Sequence, residues 1–160
     1  MMNIRLKRIQ PDDLNILASL FVQNDVPVIT DTFNPFPLNA ETAQWIACES
    51  RLDRFYIAFL ENTAVGFSML RGWDEGYNVP SFGIFIDFRF HGRGLGSLVL
   101  EQTMEEARKA GCEKMRLSVY ANNPAALAMY IHKGFIETER VDTMHLGHPD
   151  QKIIMIKGLT

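Results

Sequence analysis

The sequence predicts one α/β (α+β) domain, a mixed central sheet of about seven strands with four helices. Three observations carry that reading. The chain has 160 residues, 47% hydrophobic and 22% charged, enough apolar material for one core and too much for a disordered segment. Strand and helix patterns follow in the order β-α-α-β-β-β-α-β-α-β-β, with no linker, repeat or low-complexity stretch between them. The β-α-β run over 82–120 requires a crossover and so parallel strands, whereas the hairpin before it requires antiparallel ones.

Residues 3–9 alternate, with Ile4, Leu6 and Ile9 toward a core, as a short strand does. Pro11-Asp12-Asp13 opens a helix through about Gln23, because proline suits the first turn and acids there favour the helix dipole. Leu14, Leu17, Ala18 and Phe21 form its apolar stripe. From Asn24 to Asn39 no period holds, and Pro27, Pro35 and Pro37 predict a stiff loop presenting Phe33 and Phe36. A short helix follows over Ala40–Arg51, then a hairpin of strands 55–60 and 64–70. Gly72–Pro80 is a polar loop with Trp73 and Tyr77, and 82–87 is an apolar, central strand. A helix over Gly94–Ala110 ends at Gly111, and Glu105 and Lys109 have i,i+4 spacing on it. Strand 114–120 precedes a helix that Asn123-Pro124 starts and Gly134 stops. Strands 135–140 and 152–157 finish the chain, joined by a loop holding His145 and His148.

The net charge of −3, with no dense Lys/Arg run, argues against nucleic acid as a partner. The longest apolar run, Ala125–Ile131, is far short of the ~20 residues a membrane span needs. The first residues lack the pattern of a signal peptide. Cys48 and Cys112 read as two reduced thiols in a cytoplasmic protein. His145 and His148 lack the further ligands of a metal site, so no metal is expected.

The chemistry concentrates in His91-Gly92-Arg93-Gly94-Leu95-Gly96-Ser97, between a strand and a helix. Amides freed at a helix start bind anions such as phosphate, and glycine lets the backbone approach closely. A dinucleotide-binding GxGxxG fails because Ser97 replaces the third glycine, and Glu113 lies at the wrong end of the next strand. A P-loop fails because no lysine follows Gly96. A bare turn would carry three glycines that each weaken a helix by about 1 kcal/mol relative to alanine. Downstream, Asn123 to Phe135 reads by itself as a capped helix with Tyr130 packed on Leu127. In a parallel β-α-β unit, however, both loops lie at the carboxyl ends of the strands and face one site.

His91-Gly92-Arg93-Gly94-Leu95-Gly96 resembles the [QR]xxGx[GA] loop of the GCN5-related N-acetyltransferase (GNAT) family, with His91 where Gln or Arg is usual. The stretch from Asn123 through Tyr130 to Gly134-Phe135 resembles the family's Nxx[AG]xxxY…GF. The resemblance covers nearly the whole chain, 1–160, and implies the acyl-CoA N-acyltransferase fold. It implies acetyl-CoA as cosubstrate, with the pyrophosphate on Gly92, Arg93, Gly94, Leu95, Gly96 and Ser97 beside His91. Ile84, Phe85 and Ile86 would offer backbone groups to the pantetheine, lying like an added strand between two splayed strands. Asn123 would bond that arm or its neighbourhood, and Tyr130 would act as general acid at the sulfur. The acceptor would be a small-molecule or peptide amine, framed in the family by the region of the Thr30–Leu38 loop. Trp73 and Tyr77 would add to an aromatic cleft. Many members dimerise, so a homodimer is a state the resemblance allows. The family's ribosomal-protein branch carries a Glu five residues before this Asn; here Ser118 stands there. Asp74, Glu75, Asp142, His145 and His148 are the loop candidates for a base. A non-catalytic acyl-CoA-binding module, sharing the loop without a working acid and base, is the alternative.

Overall fold

The computed structural model describes residues 3–49 and 52–160. A seven-stranded mixed sheet has the order β1-β2-β3-β4-β5-β7-β6. Its strands are β1 (Ile4–Arg8), β2 (Arg54–Leu60), β3 (Thr63–Arg71), β4 (Ser81–Ile86), β5 (Lys114–Tyr120), β6 (Ile136–His145) and β7 (His148–Gly158). The helices are α1 (Leu14–Gln23), α2 (Pro27–Thr30), α3 (Ala40–Glu49), α4 (Leu95–Lys109) and α5 (Pro124–His132). The expected order therefore holds, with β4 central as its apolar run requires.

Strand alternation puts a core on each face of the sheet. Leu17, Phe21, Ile29, Phe33 and Ile46 of the α1–α3 layer pack on Phe55, Ile57, Phe67 and Phe85. On the opposite face Leu100, Met104 and Tyr130 pack on Tyr56, Leu70, Phe82, Met115 and Leu117. Met115, Leu117 and Val119 thus turn toward α4 and α5. Their alternates on β5, Arg116, Ser118 and Tyr120, turn toward the α1–α3 layer.

Several local expectations need correction. The predicted loop after Asn24 contains a helical turn, α2, because Pro27 supplies the fixed φ of a first helical position. Residues 11–13 form a 3-10 turn before α1. Helix α3 begins where expected, with Asn39 Oδ1 accepting from Thr42 N at 2.8 Å; its predicted end at Arg51 lies outside the described residues. Glu105 bonds Arg108 and Glu106 bonds Lys109, so the pairs are i,i+3 rather than i,i+4. The joint between β6 and β7 is no loop. Both strands run on to His145 and His148 and meet in a two-residue turn, Leu146 (φ 54°) and Gly147 (φ 77°). Two positive φ values fit a type I′ turn, whose signature Leu-Gly hides because leucine rarely adopts it. The stop at Gly134 is as expected: its φ is 94°, and Phe135 N donates to Tyr130 O at 3.0 Å.

Candidate active site

The sheet opens at its centre. β5 and β7 form seven register pairs, whereas β4 and β5 form one, Ser81 with Arg116. One more bond, Arg116 N to Pro80 O at 2.9 Å, holds that end. Beyond it the strands part, leaving the facing backbone of β4 without a β5 partner among the described residues. A cleft of about 430 Å³ fills the gap, a size typical of small-molecule sites.

One mouth of the cleft lies under α4 and α5. Gly92 (φ 78°) and Gly94 (φ 74°) are left-handed, and Gly94 is the N-cap of α4 with no side chain capping it. The first amides of α4 have no partner within the helix, so this turn presents donors and a positive dipole end. A Cβ placed on Gly96 would meet Ile86 Cγ1 and Met129 Sδ, each at 3.9 Å. Both residues line the cleft, so that Cβ would stand between two of its lining side chains.

A buried polar post holds this turn. Asp87, fully buried at the end of β4, accepts from Arg89 N at 2.9 Å and from the Arg89 guanidinium at 2.9 and 3.0 Å. Asn24 Nδ2, at the end of α1, also donates to it at 3.1 Å, and Asn24 Oδ1 accepts from Phe88 N. Burial alone would raise the Asp87 pKa; the bonds from Arg89 and Asn24 prevail and hold it below the usual carboxylate value. Asn24 was missed in the sequence because its helix-end position looks like an ordinary stop.

Of the residues expected at the cofactor, Ile84, Phe85, Ile86, His91, Gly92, Gly94, Leu95, Gly96, Asn123 and Tyr130 line the cleft. Arg93 and Ser97 are not in that lining; the Arg93 guanidinium lies over the Phe90 ring, 5.1 Å from its centroid. His91 Nε2 donates to Ile86 O at 2.7 Å, folding the imidazole back onto β4. Asn123 holds the N-cap position of α5, but its side chain makes no cap bond. The expected cap is thus only positional, and the residue is among those lining the cleft. Tyr130 is 7% exposed, with its ring edge-on to Phe82 and Phe135. Burial pushes its pKa well above the ordinary tyrosine value.

The other mouth faces the α1–α3 layer. Ile29, Thr32, Phe33, Asn34 and Pro35 line it with Met69, Phe85, Ser118, Tyr120 and Lys152. The expected wall from the proline-aromatic loop is therefore present in Phe33, whereas Phe36 packs against the core. Trp73 and Tyr77 are not in the lining: Trp73 lies under the Arg54 guanidinium at 5.6 Å, and Tyr77 is exposed. Tyr120, Lys152 and His145 went unrecognised as a group. Tyr120 stacks on His145 at 3.6 Å between centroids, with the rings 2° from parallel. His145 Nδ1 lies 3.1 Å from Asp150 Oδ2, and its Nε2 bonds the carbonyl of Asp31. This clasp joins the β6–β7 hairpin to α2 and fixes the Tyr120 ring between them.

Among the described residues no carboxylate lines the cleft. Asp74 instead accepts from the Leu52 and Asp53 amides, and Asp142 accepts from Gln151 Nε2. Glu75 and His148 lie outside the lining. Among the described residues there is no group of three His, Cys, Asp or Glu side chains that could hold a metal ion, and no helix long and apolar enough to cross a membrane.

The family model described as Acetyltransferase (GNAT) family matches residues 24–135, most of the chain. The chain belongs to the GNAT family. Salmonella typhimurium [ribosomal protein bS18]-alanine N-acetyltransferase is 41% identical over 56 residues, covering 35% of this GNAT chain and 38% of that protein. Bacillus subtilis N-acetyltransferase YdgE, described as uncharacterized, is 40% identical over 60 residues, covering 38% of the chain and 37% of YdgE. The matches thus span well under half the length of these relatives. The fold extends further. Spermidine N-acetyltransferase from Vibrio cholerae, solved with CoA and spermine, has a TM-score of 0.81 at 16% identity, covering 98% of this chain and 95% of that one. That similarity establishes a shared acyltransferase fold for this GNAT domain.

Proposed function

We propose that the protein is an acetyl-CoA-dependent N-acetyltransferase acting on a primary amine, as one domain over 1–160. The observation that carries this reading is the gap between β4 and β5, opening at one end onto the left-handed glycines and free amides of α4. The fit is specific. The side of the Ile84–Ile86 backbone turned away from β3 has no strand partner among the described residues, and apart from the Ile86 carbonyl that His91 takes it can bond an amide-bearing arm, as an edge strand would. Gly92–Ser97 can bond a pyrophosphate, and glycine at 96 keeps a side chain out of the turn that would receive it. The Vibrio enzyme of the same fold was solved with CoA, which supports CoA as the class of ligand.

When bound, acetyl-CoA supplies an acetyl thioester, which the amine attacks directly as the carbon–sulfur bond breaks. The chain's task is to orient, to exclude water and to manage two protons. Tyr130 holds the general-acid position in this reading, and its pKa decides how far it can act as one. An ordinary tyrosine at ~10 is already ~1.5 units above a thiol at ~8.5. Burial widens that gap, so Tyr130 keeps its proton and donates a hydrogen bond to the charge developing on sulfur, and CoA leaves as the thiolate and takes its proton from water. Asn123, free of its cap, is a second polar group on the same side. With Ser118 in place of a glutamate and no acid in the lining, the amine gives up its proton to water in the acceptor mouth.

The absence of a lining carboxylate also favours the second reading, a module that binds acyl-CoA without transfer. Titration calorimetry with acetyl-CoA, followed by thiol release over a panel of amines, separates the two. Binding with amine-dependent release supports the enzyme. Binding with no amine accepted supports the module, and no binding removes both. The lack of a membrane-crossing helix among the described residues suits cytoplasmic work on a soluble acceptor. A homodimer is included in the proposal, with sedimentation as its test.

A further inference from the structure

The acceptor mouth has a sign. Lys152 is the one Lys or Arg in the cleft lining among the described residues, and no Asp or Glu lines it. Register places Lys152 on β7 directly opposite Tyr120 of β5, and its Nζ stands 5.7 Å from the Tyr120 ring centroid. Among the described residues it makes no ion pair. The carboxylates nearest in sequence are engaged. Asp150 accepts from the Gln151 amide and faces His145, while Asp142 takes the Gln151 side chain. Beside Lys152 stand neutral polar groups: Ser118, and Tyr120 Oη 3.5 Å from Asn34 Nδ2. Phe33, Phe85 and Met69 make the apolar wall across from them.

A site of this composition repels a polycation and draws an anion. An ammonium group gains nothing here until it loses its proton, whereas an oxyanion gains Lys152 and the hydroxyls around it. We propose that the acceptor is a small amine bearing an oxyanion, a carboxylate or a phosphonate, and that Lys152 selects it by pairing with that group. The inference rests on the acetyl-transfer reading above and adds the substrate class. The clasp of His145 on Tyr120 serves this selection, because it holds the strand pair that presents Lys152.

The test uses the whole chain with acetyl-CoA. Leucine, methionine and phenylalanine are compared with their carboxamides, and 2-aminoethylphosphonate and spermine are added, with thiol release as the readout. The carboxylate forms are expected to exceed their carboxamides in kcat/KM by about tenfold or more, with spermine poor. The 2-aminoethylphosphonate arm shows which oxyanion is preferred. Lys152→Met should raise KM for the anionic amine by about tenfold while kcat and acetyl-CoA affinity stay near wild type. Lys152→Arg should recover most of the loss, and Lys152→Glu should invert the preference toward the carboxamides. Lys152 is exposed, so unfolding temperatures of the variants should match wild type. Carboxamides or spermine used as well as the carboxylates, or a Lys152→Met enzyme with unchanged KM, would overturn the inference. Acetyl-CoA bound with no anionic amine accepted would overturn it as well, leaving the cosubstrate site standing. Failure to bind acetyl-CoA would instead remove the acetyl-transfer reading beneath it.

Discussion

Gly96→Ala separates the needs of the fold from those of the ligand. Gly96 lies in the first turn of α4, has no positive φ, and offers an added Cβ only ordinary contacts of 3.9 Å with Ile86 and Met129. Nothing in the protein alone requires glycine there. Alanine should stabilise the helix by about 0.5–1 kcal/mol, through lower unfolded-chain entropy and better propensity. For a chain of this size that is a rise in Tm of about 1–4 °C. The same methyl stands against two cleft-lining side chains, in the turn assigned to pyrophosphate, so acetyl-CoA affinity should fall by about tenfold or more, the loss of at least one charge-assisted hydrogen bond. Differential scanning calorimetry and titration calorimetry on one preparation read both effects. A variant more stable than wild type and binding acetyl-CoA with unchanged Kd would refute the assignment of this turn to the cosubstrate. A variant of lower stability would refute the packing argument.

Other expectations follow from the same geometry. Tyr130→Phe should lower kcat about 10–100-fold with little change in acetyl-CoA affinity, measured by steady-state kinetics and calorimetry. Because burial keeps Tyr130 protonated, the wild-type and Tyr130→Phe pH–rate profiles should share one shape up to pH ~10. With no carboxylate in the lining, kcat/KM should climb with pH toward the pKa of the acceptor amine, and a plateau near neutral pH would point to a protein base. Asp87→Asn should cost about 1–3 kcal/mol by denaturant titration, since an amide sets donors against Arg89 and Asn24. The folded pKa of Asp87 lies below its unfolded value. Its stabilisation is therefore complete above about pH 4 and lost as pH falls through the folded pKa, a dependence the Asn variant should lack. His145→Ala removes the stack on Tyr120 and leaves the Asp31 carbonyl without its imidazole. It should raise the acceptor KM more than it lowers kcat.

The half of the cleft proposed for the cosubstrate was legible in the sequence because its determinants are local. Gly92, Gly94 and Gly96 fall within five residues, and Asn123 and Tyr130 share one helix. Backbone demands of that kind leave a mark in residue type, since a left-handed turn and a free helix start call for glycine. The half proposed for the acceptor was only partly legible. Phe33 stood out on a proline-stiffened loop, but Tyr120, His145, Asp150 and Lys152 meet through the pairing of β5, β7 and β6 and through contact with α2. Their signal depended on finding the tight Leu146-Gly147 turn, and a leucine at φ 54° conceals it. With that turn read as a loop, His145 looked solvated, whereas it is 8% exposed. Asp74 illustrates the opposite case. It is an acid on a loop that could have bordered the acceptor, yet its oxygens tie the Leu52 and Asp53 amides.

A crystal structure with acetyl-CoA bears most directly on the claim that this cleft is a working acyl-transfer site. The pyrophosphate should lie on the amides of Gly92–Ser97, the pantetheine against the backbone of Ile84–Ile86, and the thioester sulfur within hydrogen-bond reach of Tyr130. Ligand density elsewhere on the protein, or a thioester far from Tyr130 with the β4–β5 gap closed, would contradict it.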